Sequence, residues 1–134
     1  MKRTLSVVFI ALVAGACDFY VVEPRVDWRD RVVGRYQVDE YSHTYNSYTF
    51  YSIRILKSGG YDHIHIDNFY NSGMRIRAYI SYDKITIPYQ IVNGYEIEGV
   101  GTVYGSSIDL SYSVKDLYQP LPTDFCETEA YFDY

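Results

Sequence analysis

Between Val32 and Phe132 the chain repeats apolar residues at every second position, segment after segment. A period of two builds half-buried strands and excludes amphipathic helices. Tyr36 and Val38 alternate with Arg35, Gln37 and Asp39, and Tyr51, Ile53 and Ile55 with Ser52 and Arg54. Ile64 and Ile66 alternate with His63, His65 and Asp67, then Met74, Ile76, Ala78 and Ile80 with Arg75, Arg77, Tyr79 and Ser81. Ile85, Ile87, Tyr89 and Ile91 form the next inward set, followed by Tyr95, Ile97 and Val103 against Glu96, Glu98 and Thr102. Ile108, Leu110, Tyr112 and Val114 oppose Ser107, Asp109, Ser111 and Ser113, and Cys126, Thr128, Ala130 and Phe132 oppose Glu127, Glu129 and Tyr131. This is about eight strands with no helix-period segment between them.

The punctuation fits strands joined in sequence. Ser58-Gly59-Gly60, Asn71-Ser72-Gly73, Asn93-Gly94 and Tyr104-Gly105-Ser106 supply residues that accept positive φ, with Tyr82-Asp83-Lys84 as a further turn. Such short links force antiparallel neighbours, because a parallel crossover needs a dozen or more residues. The one long link, Lys115 to Asp124, contains Pro120 and Pro122. An eight-stranded antiparallel up-and-down meander has two solutions, a closed or partly open barrel and a two-layer β-sandwich. The barrel is favoured because closure hides both edges. Pro88 cannot donate a ladder hydrogen bond, so its strand must bulge, bend or sit at an opening. Gly99 and Gly101 fall on the inward side, where they permit a sharp bend or leave space. Composition supports an all-β chain, with 17 tyrosines among 134 residues and 18% aromatics.

Met1 to Cys17 read as an address. Lys2 and Arg3 precede the apolar run Leu5 to Val13, and Ala14, Gly15 and Ala16 offer the small residues a signal peptidase requires. The run is shorter than the roughly 20 residues a membrane-spanning helix needs. A cysteine directly after Ala14-Gly15-Ala16 resembles the bacterial lipobox, which implies lipid on Cys17, although the usual leucine three residues before the cysteine is Ala14 here. The same tripeptide also suits ordinary cleavage, after which Cys17 could pair with Cys126 in an oxidising compartment. The expected organisation is a signal peptide over 1–16, a lipid-anchored linker over 17–31 with Trp28 tucked against the domain, and a barrel domain over 32–134. Removing residues 1–16 leaves 10 of the 12 Lys+Arg against all 17 Asp+Glu, a formal charge of −7. That field repels phosphate backbones, so nucleic acid is not an expected partner.

Three stretches carry a resemblance: Ile64-x-Ile66-x-Asn68-Phe69-Tyr70, Ile85-Thr86-Ile87-Pro88-x-Gln90, and Gly94-Tyr95-x-Ile97-x-Gly99-x-Gly101-Thr102-Val103 with Ile108-x-Leu110-x-Tyr112. Together with a cysteine at the start of the last strand (Cys126), they resemble small secreted lipoprotein domains of Gram-negative bacteria with a lipocalin-like, or calycin-like, meander. Gly34-Arg35-Tyr36 stands where lipocalins carry G-x-W, with tyrosine in place of tryptophan. The resemblance implies a barrel, and such domains mostly lack an assigned activity.

Candidate chemistry is sparse. His63, His65 and Asp67 share one strand face and could meet a metal, but zinc needs further ligands that no motif supplies, and the face reads as solvated. His43 has no identifiable partner. Glu96 with Glu98, and Glu127 with Glu129, are neighbours on outer faces rather than carboxyls across a cleft. No nucleophile elbow, phosphate-cradling loop or Cys–His pair is present, so no catalytic residue, metal or cofactor is expected. The outward tyrosines are the candidates for ligand contact: Tyr79, Tyr104 and Tyr131, with Tyr48, combine contact area with a hydroxyl and would suit a glycan or a protein. The expected protein is a non-enzymatic binding or accessory module, lipid-anchored at the cell envelope and placed at the outer membrane. The alternatives are a lipocalin-like carrier of a small apolar ligand, with room made by Ala78, Gly99, Gly101 and Ala130, and a hydrolase inhibitor acting through the 115–124 loop.

Overall fold

Links of two to seven residues leave each strand little choice but to pair with the next, and the first and last strands then face each other as open edges. In the computed structural model, which describes residues 25–134, those edges meet and the sheet closes into a barrel rather than a sandwich. The strands are β1 (Gly34–Ser42), β2 (Ser47–Lys57), β3 (His63–Phe69), β4 (Met74–Ser81), β5 (Lys84–Val92), β6 (Tyr95–Tyr104), β7 (Ser107–Asp116) and β8 (Asp124–Phe132), all antiparallel. Closure runs from Tyr36 opposite Phe132 to Ser42 opposite Cys126. Paired edges have no free ladder groups to recruit another chain.

The inward positions form one core, dominated by isoleucine from β2 to β7 and filled out by Tyr36, Phe69, Met74 and Leu110. Eight strands leave an interior about wide enough for side chains alone. Gly99 and Gly101 do not open it. A Cβ on Gly99 would lie 2.5 Å from Tyr112 Cβ and 2.6 Å from the Ser111 carbonyl oxygen, and one on Gly101 2.7 Å from the Asp109 carbonyl oxygen and against the Leu110 side chain. These glycines let β6 and β7 approach closely, and Ala78 and Ala130 are fully buried in the same packing. The expected room is occupied.

Two bulges reset the alternation. In β5 the register shifts between Ile87 and Gln90, where Pro88 cannot join the ladder. Beyond the bulge the faces exchange. Tyr89 and Ile91, expected inside, are each 57% exposed, and Gln90 is 5% exposed. Gln90 holds the bulge: its amide oxygen accepts from Arg77 N at 2.9 Å, and its amide nitrogen donates to the Arg77 and Pro88 carbonyls at 2.8 and 3.0 Å. In β3 the shift falls between Asp67 and Phe69, with Asn68 at φ 62°, and it places Phe69 in the core.

One end of the barrel is closed by the chain that leads into it. Trp28–Arg31 form a 3₁₀ turn, capped by Asp27, whose carboxylate accepts from Arg29 N at 3.1 Å. Arg29 donates to the Ser58 and Gly60 carbonyls between β2 and β3, at 3.0 and 2.7 Å. Trp28 packs edge-on against Tyr82, and the Tyr36 hydroxyl donates to the Val32 carbonyl at 3.0 Å. The opposite end carries the 43–46, 70–73, 93–94 and 117–123 connections, and it is the mouth.

Candidate functional site

Alternation carries past the apolar residues of β1. After Tyr36 and Val38, the next inward positions are Glu40 and Ser42, and on the paired strand β8 the residue two before Cys126 is Asp124. Two carboxylates therefore enter the lumen just below the mouth, Glu40 at 5% and Asp124 at 4% exposure. Burying a carboxylate without partners is costly, so its neighbours decide whether it is tolerated. Here every described partner is a hydroxyl or a thiol. Tyr51 donates to Glu40 Oε2 at 2.5 Å, Tyr112 donates to the same oxygen, and the two phenol oxygens are 3.2 Å apart. Ser42 Oγ donates to Asp124 Oδ1 at 2.5 Å, and Tyr70 donates to Oδ2. Among the described residues no cation pairs with either carboxylate.

The electrostatics follow from that. Burial pushes the Glu40 carboxyl up to about 7, the Tyr51 hydroxyl bond pulls it part of the way back, and the charge of Asp124 raises it again. Burial likewise raises the Tyr51, Tyr70 and Cys126 groups, with Glu40 adding to the rise for Tyr51, and the Asp124 hydrogen bond for Tyr70. Glu40 can exchange a proton near neutrality. Coupled titrating groups of this kind concentrate at functional sites.

Backbone geometry aims the ring that joins the cluster to the outside. Tyr70 sits at φ 58° in the Phe69–Gly73 turn, a left-handed conformation seldom taken by aromatic residues. From there its hydroxyl reaches Asp124 while its ring lies 6.4 Å from both the Tyr95 and Tyr112 rings. Tyr45, Tyr70 and Tyr95 ring a recess of about 110 Å³, with Asp124 in its lining and Leu121 and Pro122 on its rim. The 117–123 connection is tied there by Leu117 N donating to the Gly94 carbonyl at 2.9 Å. At Gly94, φ is +80° and a Cβ would run into the Tyr118 ring.

The outward tyrosines are scattered around the wall. Tyr104 and Tyr131 lie in one row on β6 and β8 with Ser107 of β7 between them. Tyr79 is on β4, on the other half of the barrel, with the His63 ring 4.6 Å away. Tyr48 pairs with Tyr41, ring centroids 4.8 Å apart. Tyr131 donates to Glu129, which raises its own hydroxyl. The strands do not gather Tyr79, Tyr104 and Tyr131 into one surface. On β3, Asp67 is engaged by Arg75 at 2.5 and 2.8 Å, and His63 Nδ1 lies 2.8 Å from the Gly59 carbonyl. His43 meets Glu127 at 3.0 Å, and Glu96 accepts from Tyr89 at 2.9 Å. Cys17 lies outside the described residues.

Glu40, Ser42 and Asp124 are the residues the sequence reading missed, and their inward parity was the available signal. Comparison with protein-family models and with curated proteins finds no match. The closed eight-stranded meander is consistent with a lipocalin-like fold.

Proposed function

We propose that the protein is a non-enzymatic binding module of the cell envelope, held at the outer membrane by lipid on Cys17. Its ligand site is the barrel mouth, which accepts a small group bearing positive charge. The observation that carries the reading is the pair of lumen carboxylates, each held by hydroxyls and neither by a cation among the described residues, beneath a recess walled by three tyrosine rings. A cation placed there gains both the carboxylate field and the faces of the rings. The packed interior gives a lumen-filling apolar ligand no support.

Anchoring draws support from the placement of the two ends. The described chain begins at the closed end, whereas Cys126 is 2% exposed inside the opposite end. A thiol sealed there is a poor partner for a disulfide, which supports lipid on Cys17 over a Cys17–Cys126 bridge. A second reading, hydrolase inhibition through the 115–124 loop, is favoured by Leu117 and Tyr118 on the rim, the latter 83% exposed.

Two measurements test the proposal. Metabolic labelling with an alkyne fatty acid should mark the wild type and spare Cys17→Ser, and an unlabelled wild type removes the anchor. Amide NMR with tetramethylammonium should shift residues 45, 70, 95 and 124, while its uncharged analogue tert-butanol should not. Equal responses to both probes, or none, would defeat the cation site.

A further inference from the structure

The outer wall of the barrel is divided by charge. Strands β6, β7, β8 and β1 expose Asp39, Glu96, Glu98, Asp109, Glu127 and Glu129 against Arg35 and Lys115. Strands β2 to β5 expose Arg54, Lys57, Arg75, Arg77 and Lys84 against Asp67, with Lys57 taken up by Asp27 and Asp30. The pairing register concentrates the acidic half further. Asp39 stands opposite Glu129, and Glu129 opposite Asp109, so three carboxylates line up across three adjacent strands. Like charges directly opposite one another destabilise a sheet. Among the described residues none of these three makes an ion pair, and beside them lies a groove of about 500 Å³ flanked by Tyr41 and Tyr48. On the other half, Arg75 is taken up by Asp67, but Arg54 and Arg77 make no ion pair among the described residues.

We infer that the acidic wall of one barrel docks the basic wall of a second copy, with Arg54 and Arg77 entering the field of Asp39, Glu129 and Asp109. The spacings agree. Neighbouring strands are about 4.8 Å apart, so the outer carboxylates of the row are roughly 10 Å apart. Arg54 and Arg77 are two strands apart and offset by one residue pair, roughly 12 Å, well within the reach of arginine side chains. The two walls lie on opposite halves of the barrel, so the contact is head-to-tail and each added copy presents a fresh wall of either sign. A four-strand wall measures about 19 by 28 Å, roughly 500 Å² a side, which places the contact in the weak, transient class. Tethered barrels, confined to a surface, would meet at higher effective concentration than free ones.

The test is sedimentation velocity on the full chain, purified as cells process it, in a nonionic detergent. At about 0.1 M salt the screening length is roughly 10 Å, long enough to span a contact yet short against the distance between barrel centres, which damps the repulsion of the net charge. Wild type should associate with rising concentration there and dissociate at about 1 M salt, where screening acts over roughly 3 Å. Asp109→Lys with Glu129→Lys, and separately Arg54→Glu with Arg77→Glu, should each weaken association at least about tenfold. The neutral pair Asp109→Asn with Glu129→Gln covers the case in which reversal disturbs folding, and should also weaken it. Mixing the two reversal variants should restore association, from dimers upward, because each retains one working wall and the reversed walls complement each other. Wild type that stays monomeric, association that persists at high salt, variants that associate like wild type, or a mixture without dimers would each overturn the inference. Wild type that ignores itself but binds polylysine would give the wall to a foreign basic partner and overturn it too.

Discussion

Glu40→Gln removes a buried charge while keeping its hydrogen-bond geometry, and it should change how stability depends on pH. In the folded barrel the Glu40 carboxyl is pushed up to about 7, from an ordinary value of 4.5. The folded state therefore holds this proton more tightly than the unfolded chain does. Between those two pH values folding binds protons, and stability falls as pH rises. The contribution is full below about pH 4.5 and gone above about 7. At about 1.4 kcal/mol per pH unit it amounts to about 3 kcal/mol, of which about 2.5 kcal/mol falls between pH 5 and 8. In the variant the amide oxygen still accepts from Tyr51 and Tyr112, and no charge appears at any pH. Asp27 and Asp67, both held below the usual carboxylate range by arginine, titrate under this window and have the opposite sign. Urea unfolding of a soluble chain starting at residue 18, at pH 5 and pH 8, measures the difference. Wild type should lose about 2.5 kcal/mol more than Glu40→Gln across that interval. Equal losses would refute the buried-charge argument, whatever the variant's absolute stability.

Gln90→Leu should destabilise the barrel by about 2 kcal/mol in the same urea assay, because it strips the Arg77 amide and carbonyl of buried partners. A neutral result would mean the bulge satisfies itself. Gly101→Ala should cost about 1–3 kcal/mol by forcing β6 from β7, read as a lowered thermal midpoint, and an unchanged midpoint would show slack in the wall. Arg29→Ala should speed amide hydrogen exchange in residues 58–63 while leaving the β7–β8 ladder protected. Uniform acceleration would contradict a purely local role.

The barrel was legible because strand parity and turn residues agree over most of the chain, and closure follows once sequential pairing leaves two edges. Pro88 announces a bulge, but not on which side of it the faces exchange, so alternation alone puts Tyr89 and Ile91 inside and leaves Gln90 out of the core. The site was missed for a related reason. Apolar residues mark the inward face only as far as Val38 in β1, although the inward parity continues through Glu40 and Ser42. A carboxylate on a core position is the informative exception. Tyr51 and Tyr112 were recognised as inward, yet their role depends on hydroxyl partners from other strands. The meeting of Tyr45, Tyr70 and Tyr95 depends on how three turns crowd at one rim. The division of the wall by charge needed the register between strands, which a single strand's pattern does not contain.

The central claim is that the carboxylates beneath the mouth form a cation-responsive pair. Carbon-detected NMR of the Glu40 side-chain carboxyl tests it most directly, as a pH titration with and without tetramethylammonium. The account predicts a midpoint near 7 in the free protein and a lower one with the cation bound, because positive charge beside Asp124 favours ionised Glu40. A midpoint near 4.5, or one near 7 that the cation leaves in place, would contradict it.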